Sequence, residues 1–152
     1  QTDSRVNHPA HCQTVSEVEI RQLFTRWSNS LKTLDPAKVT ANYSADAVLL
    51  PTVSNQPRTN HAEIKNYFEH FLLSKPVGTI NQSHIKIGCN KAYDVGIYTF
   101  QLTDPTTGKK SDVKARYSYV YVYDNNQWLI SHHHSSAMPE KLTTDSQKKN
   151  HH

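Results

Sequence analysis

Three consecutive histidines, His132, His133 and His134, are the densest chemistry in this 152-residue chain. Imidazole titrates near neutral pH, so it can serve as acid, base, hydrogen-bond donor or metal ligand. On a strand, alternate side chains face opposite sides. His132 and His134 therefore share one face, and His133 and Ser135 take the other. A His-x-His pair on a strand can hold zinc, but zinc normally takes three or four protein ligands. His61, His70, His84 and Glu69 are the available candidates, and the sequence does not place them beside the pair. No metal site and no cofactor are assigned.

The second feature is a row of phenols. Tyr117, Tyr119, Tyr121 and Tyr123 alternate with Ser118, Val120 and Val122, which puts all four rings on one strand face. Tyr98 is expected to join them from the neighbouring strand. Such a row is either plain packing, each hydroxyl reaching water or backbone, or the wall of an amphipathic pocket for a small, partly aromatic ligand. Trp27, on the first helix, is placed to close that pocket. Arg58, between Pro57 and Thr59, either holds an anionic ligand or pairs with a surface carboxylate. Arg116 falls on the strand face opposite Tyr117 and Tyr119 and is expected outside. A proton-transfer enzyme of the isomerase kind needs a buried carboxylate base. Asp46 suits a structural turn, and the side that Asp94 takes depends on register. There is no glycine-rich phosphate loop, no Gly-x-Ser-x-Gly elbow and no catalytic-cysteine signature.

The elements that must hold these residues are legible. Ser16 and Glu19 have capping-box spacing, with Val15 and Ile20 as a hydrophobic staple. Ile20, Leu23, Phe24, Trp27, Leu31 and Leu34 then form one apolar helical stripe. Asp35-Pro36 ends that helix and starts a short second one, over about residues 36–43. Ala47-Val48-Leu49-Leu50 reads as a short strand stopped by Pro51. Residues 51–60 are a loop by composition. Asn60 and Glu63 cap a third helix with the stripe Ile64, Tyr67, Phe68, Phe71 and Leu72. The period then becomes alternating, giving strands over about 78–88, 92–103, 112–123 and 127–135. Asp104 to Gly108 and Asp124-Asn125-Asn126 are turns, so these strands should form antiparallel hairpins. Helices first and a meander after them make an α+β domain with the helices on one sheet face.

The pieces Tyr43-Ser44-Ala45-Asp46-Ala47-Val48, Asn66-Tyr67-Phe68-Glu69 and Gln127-Trp128-Leu129-Ile130-Ser131-His132-His133-His134-Ser135 carry a resemblance. Over about residues 16–139 the chain resembles the association (hub) domain of calcium/calmodulin-dependent protein kinase II and its bacterial stand-alone homologues. That domain belongs to the nuclear transport factor 2-like superfamily. The resemblance implies a cone-like curved antiparallel sheet wrapped around a long N-terminal helix, with a pocket between sheet and helices. It implies that His133 and Ser135 face the pocket, that Arg58 lies near its mouth, and that His132 and His134 hold no metal. The arginines that make the hub pocket basic fall here on Tyr98, Tyr119 and Ser135, so that basic pocket is not kept. Hub domains assemble into rings, which implies a homodimer or larger homo-oligomer.

Composition sets the remaining expectations. The chain fits one domain, with an irregular arm over 1–14, the domain over 15–140 and a polar tail over 141–152 whose final histidines fit part of a tag. The formal charge is +4, without a basic block or stacking motif, so neither nucleic acid nor membrane is an expected partner. Numbering from Gln1, without methionine, fits either a chain whose export signal has been removed or an edited chain, and a periplasmic or secreted location is expected. Cys12 and Cys89 are then either unrelated thiols or, in an oxidising compartment, a disulfide pinning the arm to the sheet. The function expected is an exported oligomerising domain with an aromatic ligand pocket, formed by Trp27, Arg58, Tyr98, Tyr117, Tyr119, His133 and Ser135. The competing expectation is an isomerase or cyclase pairing His133 with Tyr98 or Tyr119, which a strongly shifted His133 pKa within a cleft would favour.

Overall fold

The computed structural model describes residues 11–140. The expected polar tail lies outside the described residues, and the arm is described only from His11 onward. Helix α1 (Glu17–Lys32) starts where the capping box closes: the Ser16 hydroxyl accepts from Glu19 N–H, and the Glu19 carboxylate accepts from Ser16 N–H. Its apolar stripe buries Ile20, Phe24, Trp27 and Leu31. Leu34 does not continue the stripe. The helix is capped at Thr33, and Leu34 turns the chain through a left-handed conformation (φ 59°), leaving its side chain half in solvent. The sharp stop is needed because Asp35 must cap the next helix and Pro36 must occupy its first position. Helix α2 (Pro36–Thr40) is shorter than its sequence suggests, and strand β1 (Tyr43–Leu50) begins four residues earlier than the apolar run Ala47–Leu50. Helix α3 (His61–Phe71) is capped by Asn60, and Lys75, in the left-handed region, ends the turn that follows it.

Four strands complete one sheet: β2 (Val77–Gly88), β3 (Lys91–Thr103), β4 (Lys110–Asp124) and β5 (Gln127–Ala137). The order is β1-β5-β4-β3-β2. The last four strands form the expected antiparallel meander. The sheet is nevertheless not wholly antiparallel, because β1 adds to the far edge parallel to β5. The chain between β1 and β2 carries α3 across the open sheet, and α1 packs chiefly against β2 with further contacts to β3. All the large buried side chains lie between these helices and the inner sheet face, in one cluster centred on Trp27. No helix among the described residues is long and apolar enough to cross a membrane.

Two bulges set which residues face inward. One lies at Asn81 in β2, between the Ile80–Tyr98 and Gln82–Ile97 pairs; beside it Gly96 pairs with Ser83, and a Cβ on Gly96 would collide with the Gln82 carbonyl. The other lies at Ser131 in β5: Tyr121 pairs with Ile130 and Val120 with His132, so Ser131 is the extra residue. An extra residue reverses the alternation downstream. Ile130 and His133 are both buried, three positions apart, where strict alternation from Ile130 would have turned His132 inward.

Cys12 and Cys89, 77 positions apart in sequence, form a disulfide. Asn90, at the β2–β3 turn, completes the clasp by accepting from Gln13 N–H and donating to the His11 carbonyl. Thiol titration of the denatured, unreduced protein is expected to find no free thiol. Replacing both cysteines by serine should cost about 4 kcal/mol in denaturant unfolding, from the loop entropy returned to the unfolded chain. Gly96→Ala should cost at least ~2 kcal/mol in the same assay, because backbone must shift to admit one methyl group.

Candidate functional site

Four elements converge on His133. Strand β5 carries it, and the Ser131 bulge turns it inward. Its Nδ1 lies 2.9 Å from the Tyr43 hydroxyl on β1, and its Nε2 lies 3.1 Å from the Tyr98 hydroxyl on β3. The Trp27 indole on α1 donates to the Tyr43 hydroxyl at 3.1 Å. Tyr119 on β4 stacks on the imidazole with ring centroids 4.1 Å apart, and the Trp27 ring meets it edge-on at 5.5 Å. The Ser135 hydroxyl meets that of Thr52 in a short contact.

Burial dominates the electrostatics. It pushes His133 down to about 3, helped by the neighbouring His132 and His134, so its imidazole is neutral at physiological pH. Burial holds the Tyr43, Tyr98 and Tyr119 phenols well above their ordinary range. The site is therefore a chain of neutral donors and acceptors, without a formal charge.

The expected pocket is nearly filled by its own walls. Trp27, Tyr98, His133 and Ser135 do line a common void with Thr52 and Tyr67, but its volume is about 20 Å³, room for one water. Beyond Thr52 it meets a larger open groove of about 300 Å³, walled mainly by Tyr67, Phe71, Phe100, Leu102 and Val113. Tyr119 lies behind the imidazole, away from the void. Tyr117 stacks on Tyr98 and points its hydroxyl the other way, to Asp94 and the Gln82 carbonyl. Arg58 lines neither space. Its backbone bridges Leu49, its Nη1 donates to the Glu63 carbonyl and the Asn66 side chain, and its guanidinium lies 5.6 Å from the Tyr67 ring centre. It braces the mouth of the groove without pointing into it.

Two participants escaped sequence reasoning. Tyr43 falls at the end of the short second helix expected from sequence, because the apolar signal for β1 starts only at Ala47. Thr52 sits in a loop whose composition carries no such signal. Asp94 proves to face inward, paired opposite Tyr119. Burial raises its pKa, while hydrogen bonds from Ser83 and Tyr117 to Oδ1 lower it. It is a buried carboxylate, but it lines neither void nor groove. On the outer face His132 is tied to the Val48 carbonyl, and no group of three or more ligands able to hold a metal exists among the described residues.

Comparison with known proteins places this geometry in a family. Residues 16–139 match the calcium/calmodulin dependent protein kinase II association domain. A crystal structure from Xanthomonas campestris, of a candidate association domain of that kind, is 45% identical, covers 88% of this chain and 99% of its own, and superimposes with a TM-score of 0.79. A nuclear transport factor 2-like protein from Salmonella enterica serovar Typhimurium is 20% identical over 84% of this chain and 93% of its own, with a TM-score of 0.69. A ketosteroid isomerase-like protein from Erwinia carotovora is 13% identical over 78% and 93%, with a TM-score of 0.66. These two share the fold alone. No curated protein matches the chain. With most of its length matched, its fold nuclear transport factor 2-like and a 45% identical relative alongside, the chain belongs to the calcium/calmodulin dependent protein kinase II association domain family.

Proposed function

We propose that the chain is a non-catalytic, oligomerising domain of an oxidising, extracytoplasmic compartment, and that its groove binds a small organic molecule. The observation that carries the reading is the state of His133. Both ring nitrogens are taken by tyrosines and burial keeps the ring neutral, so it has no free face for proton transfer to a substrate. What is left open is an apolar groove ending at hydroxyl groups, the usual make-up of a small-molecule site. The disulfide supports the compartment. The association domain family supports assembly.

The enzyme reading keeps one supporting observation, the strongly shifted His133 pKa beside a cleft, with Tyr98 as its partner. The two readings differ in whether the imidazole can take up a proton in the native state. A neutral structural imidazole has a folded pKa far below its unfolded one. The unfolded chain then binds the extra proton, so stability is full above about pH 6.5 and falls as pH drops towards 3, by up to ~1.4 kcal/mol per pH unit. Asp94, with its raised pKa, acts in the opposite sense at the acid end of that window. The His133 ring signals in an NMR titration should stay unmoved between pH 5 and 8, and His133→Gln should flatten the acid loss of stability. A His133 midpoint near 6.5 would support the enzyme.

Native mass spectrometry of the unreduced protein tests the proposal as a whole. An assembly of two or more chains with a reproducible small mass is expected. A bare monomer would overturn it.

A further inference from the structure

A second opening shares no residue with the void or the groove. It is a cleft of about 390 Å³ between three segments: arm residues 13–15, the α1 face that carries Glu19, Leu23 and Arg26, and the end of the β4–β5 hairpin at Tyr123 and Trp128. Residues 19, 23 and 26 recur at helical spacing, so one strip of α1 makes that wall. Tyr121 and Ile130 are buried in the core, and Tyr123 and Trp128 follow two positions away on the same strand faces, half-buried. Their rings lie 5.5 Å apart, tilted by 58°, and give the cleft an aromatic floor. The arm is held as a wall by its clasp. The Cys12–Cys89 disulfide and the two bonds to the Asn90 side chain fix it, and the Asn90 carbonyl accepts from Tyr123 N–H at 2.9 Å. Asn90 thus ties the arm to the aromatic floor.

Arg26 is the cation of the cleft. Its Nε donates to the Asn42 side-chain oxygen at 2.9 Å, and the Asn42 amide donates in turn to the Ser30 hydroxyl and the Val39 carbonyl, which fixes the guanidinium in place. Its remaining donors are unused. Nη2 is buried without a partner. Nη1 has no partner among the described residues and is not buried, so it is the donor that reaches open space. The one ion pair among the described residues, Arg21 with Glu17, leaves Arg26 without a carboxylate. Burial lowers its pKa from the ordinary arginine value, but a guanidinium keeps its proton. A fixed, partly desolvated cation with unused donors is complementary to an anion. Glu19 is the only other charged residue lining the cleft. Its carboxylate is committed to the α1 cap, about 10 Å from Arg26 along the helix axis, and it opposes a doubly charged ligand more than a singly charged one.

We propose that this cleft is a second binding site, for a small planar aromatic monocarboxylate: the carboxylate meets Arg26 Nη1, and the ring packs against Tyr123 and Trp128 beside the clasped arm. The site is independent of the groove and of the ligand reading given to it.

The chain has two tryptophans, and they report the two regions separately, Trp128 from the cleft and Trp27 from the void. Proton–nitrogen correlation NMR titrations of the unreduced full chain follow both indole signals with three probes: benzoate; benzamide, its neutral isostere; and cyclohexanecarboxylate, the same charge without a flat ring. Benzoate should shift the Trp128 signal, leave Trp27 unmoved, and bind about five- to tenfold tighter than benzamide, the effect of one exposed charge-assisted contact. Cyclohexanecarboxylate should bind more weakly than benzoate for want of aromatic packing. Added salt should weaken benzoate and leave benzamide unchanged. Arg26→Gln should make benzoate and benzamide equal, and Arg26→Lys should keep part of the preference. Replacing Cys12 and Cys89 by serine releases the arm and should weaken benzoate severalfold, with the Trp27 signal showing that the fold is kept; Arg26→Gln leaves the clasp untouched and tests the site if the serine pair does not fold. Equal binding of benzoate and benzamide to the wild type, or an unmoved Trp128 signal with every probe, would overturn the proposal. A benzoate response at Trp27 alone would also overturn it, while supporting a ligand in the void and groove.

Discussion

A neutral imidazole can be buried cheaply only if both its nitrogens are satisfied, and the interior of this protein is organised around meeting that condition. His133 draws one partner from β1 and another from β3, while Trp27 from α1 reaches it through Tyr43. Four segments far apart in sequence are therefore held in mutual register by polar contacts inside an otherwise apolar cluster. Apolar contacts alone tolerate sliding and repacking; a bonded network of this kind tolerates much less. The parallel pairing of β1 to β5 follows from the same requirement, since only there does Tyr43 meet Nδ1.

The scaffold and the residues placed on it answer to separate physical constraints. A curved sheet closing over a long helix leaves one inner end where side chains from sheet, helix and loop converge, whatever their identity. Here those side chains are phenols, hydroxyls and one imidazole, and their ionisation is suppressed by burial rather than tuned by neighbours of opposite charge. A fold that hosts an isomerase-like protein and an association domain alike offers the location of a site and leaves its chemistry to the occupants.

Much of the fold was legible because its signals are local. The capping box at Ser16, the cap at Asn60, the two polar turns and the alternation of Tyr117, Tyr119 and Tyr121 each announce themselves within a few residues. What was hidden is non-local or depends on one residue of slack. Leu34 fits a helical stripe perfectly well by spacing, and only the demands of Asp35-Pro36 turn it out. The side of Asp94 follows from pairing with β4, which spacing along β3 alone does not reveal. Tyr43 and Thr52 have ordinary neighbours, and their significance exists only once His133 and Ser135 arrive from a strand some eighty residues away. Arg58 was legible as a loop arginine, but the direction of its side chain is fixed by Glu63 and Asn66 on α3.

The bulge at Ser131 has a counterpart in the tract that follows it. Because three histidines stand in a row, a slip of β5 by one residue in either direction would still deliver an imidazole to the buried slot. The slot is thus degenerate: it can recognise a histidine but cannot say which one. The information that singles out His133 must reside in its flanks, where Ile130 fills an apolar site and Ser135 a hydroxyl site: a slip one way puts Ser131 in the apolar site, and a slip the other way puts His134 in the hydroxyl site. The tract supplies redundancy in the chemical letter, and its neighbours supply the reading frame.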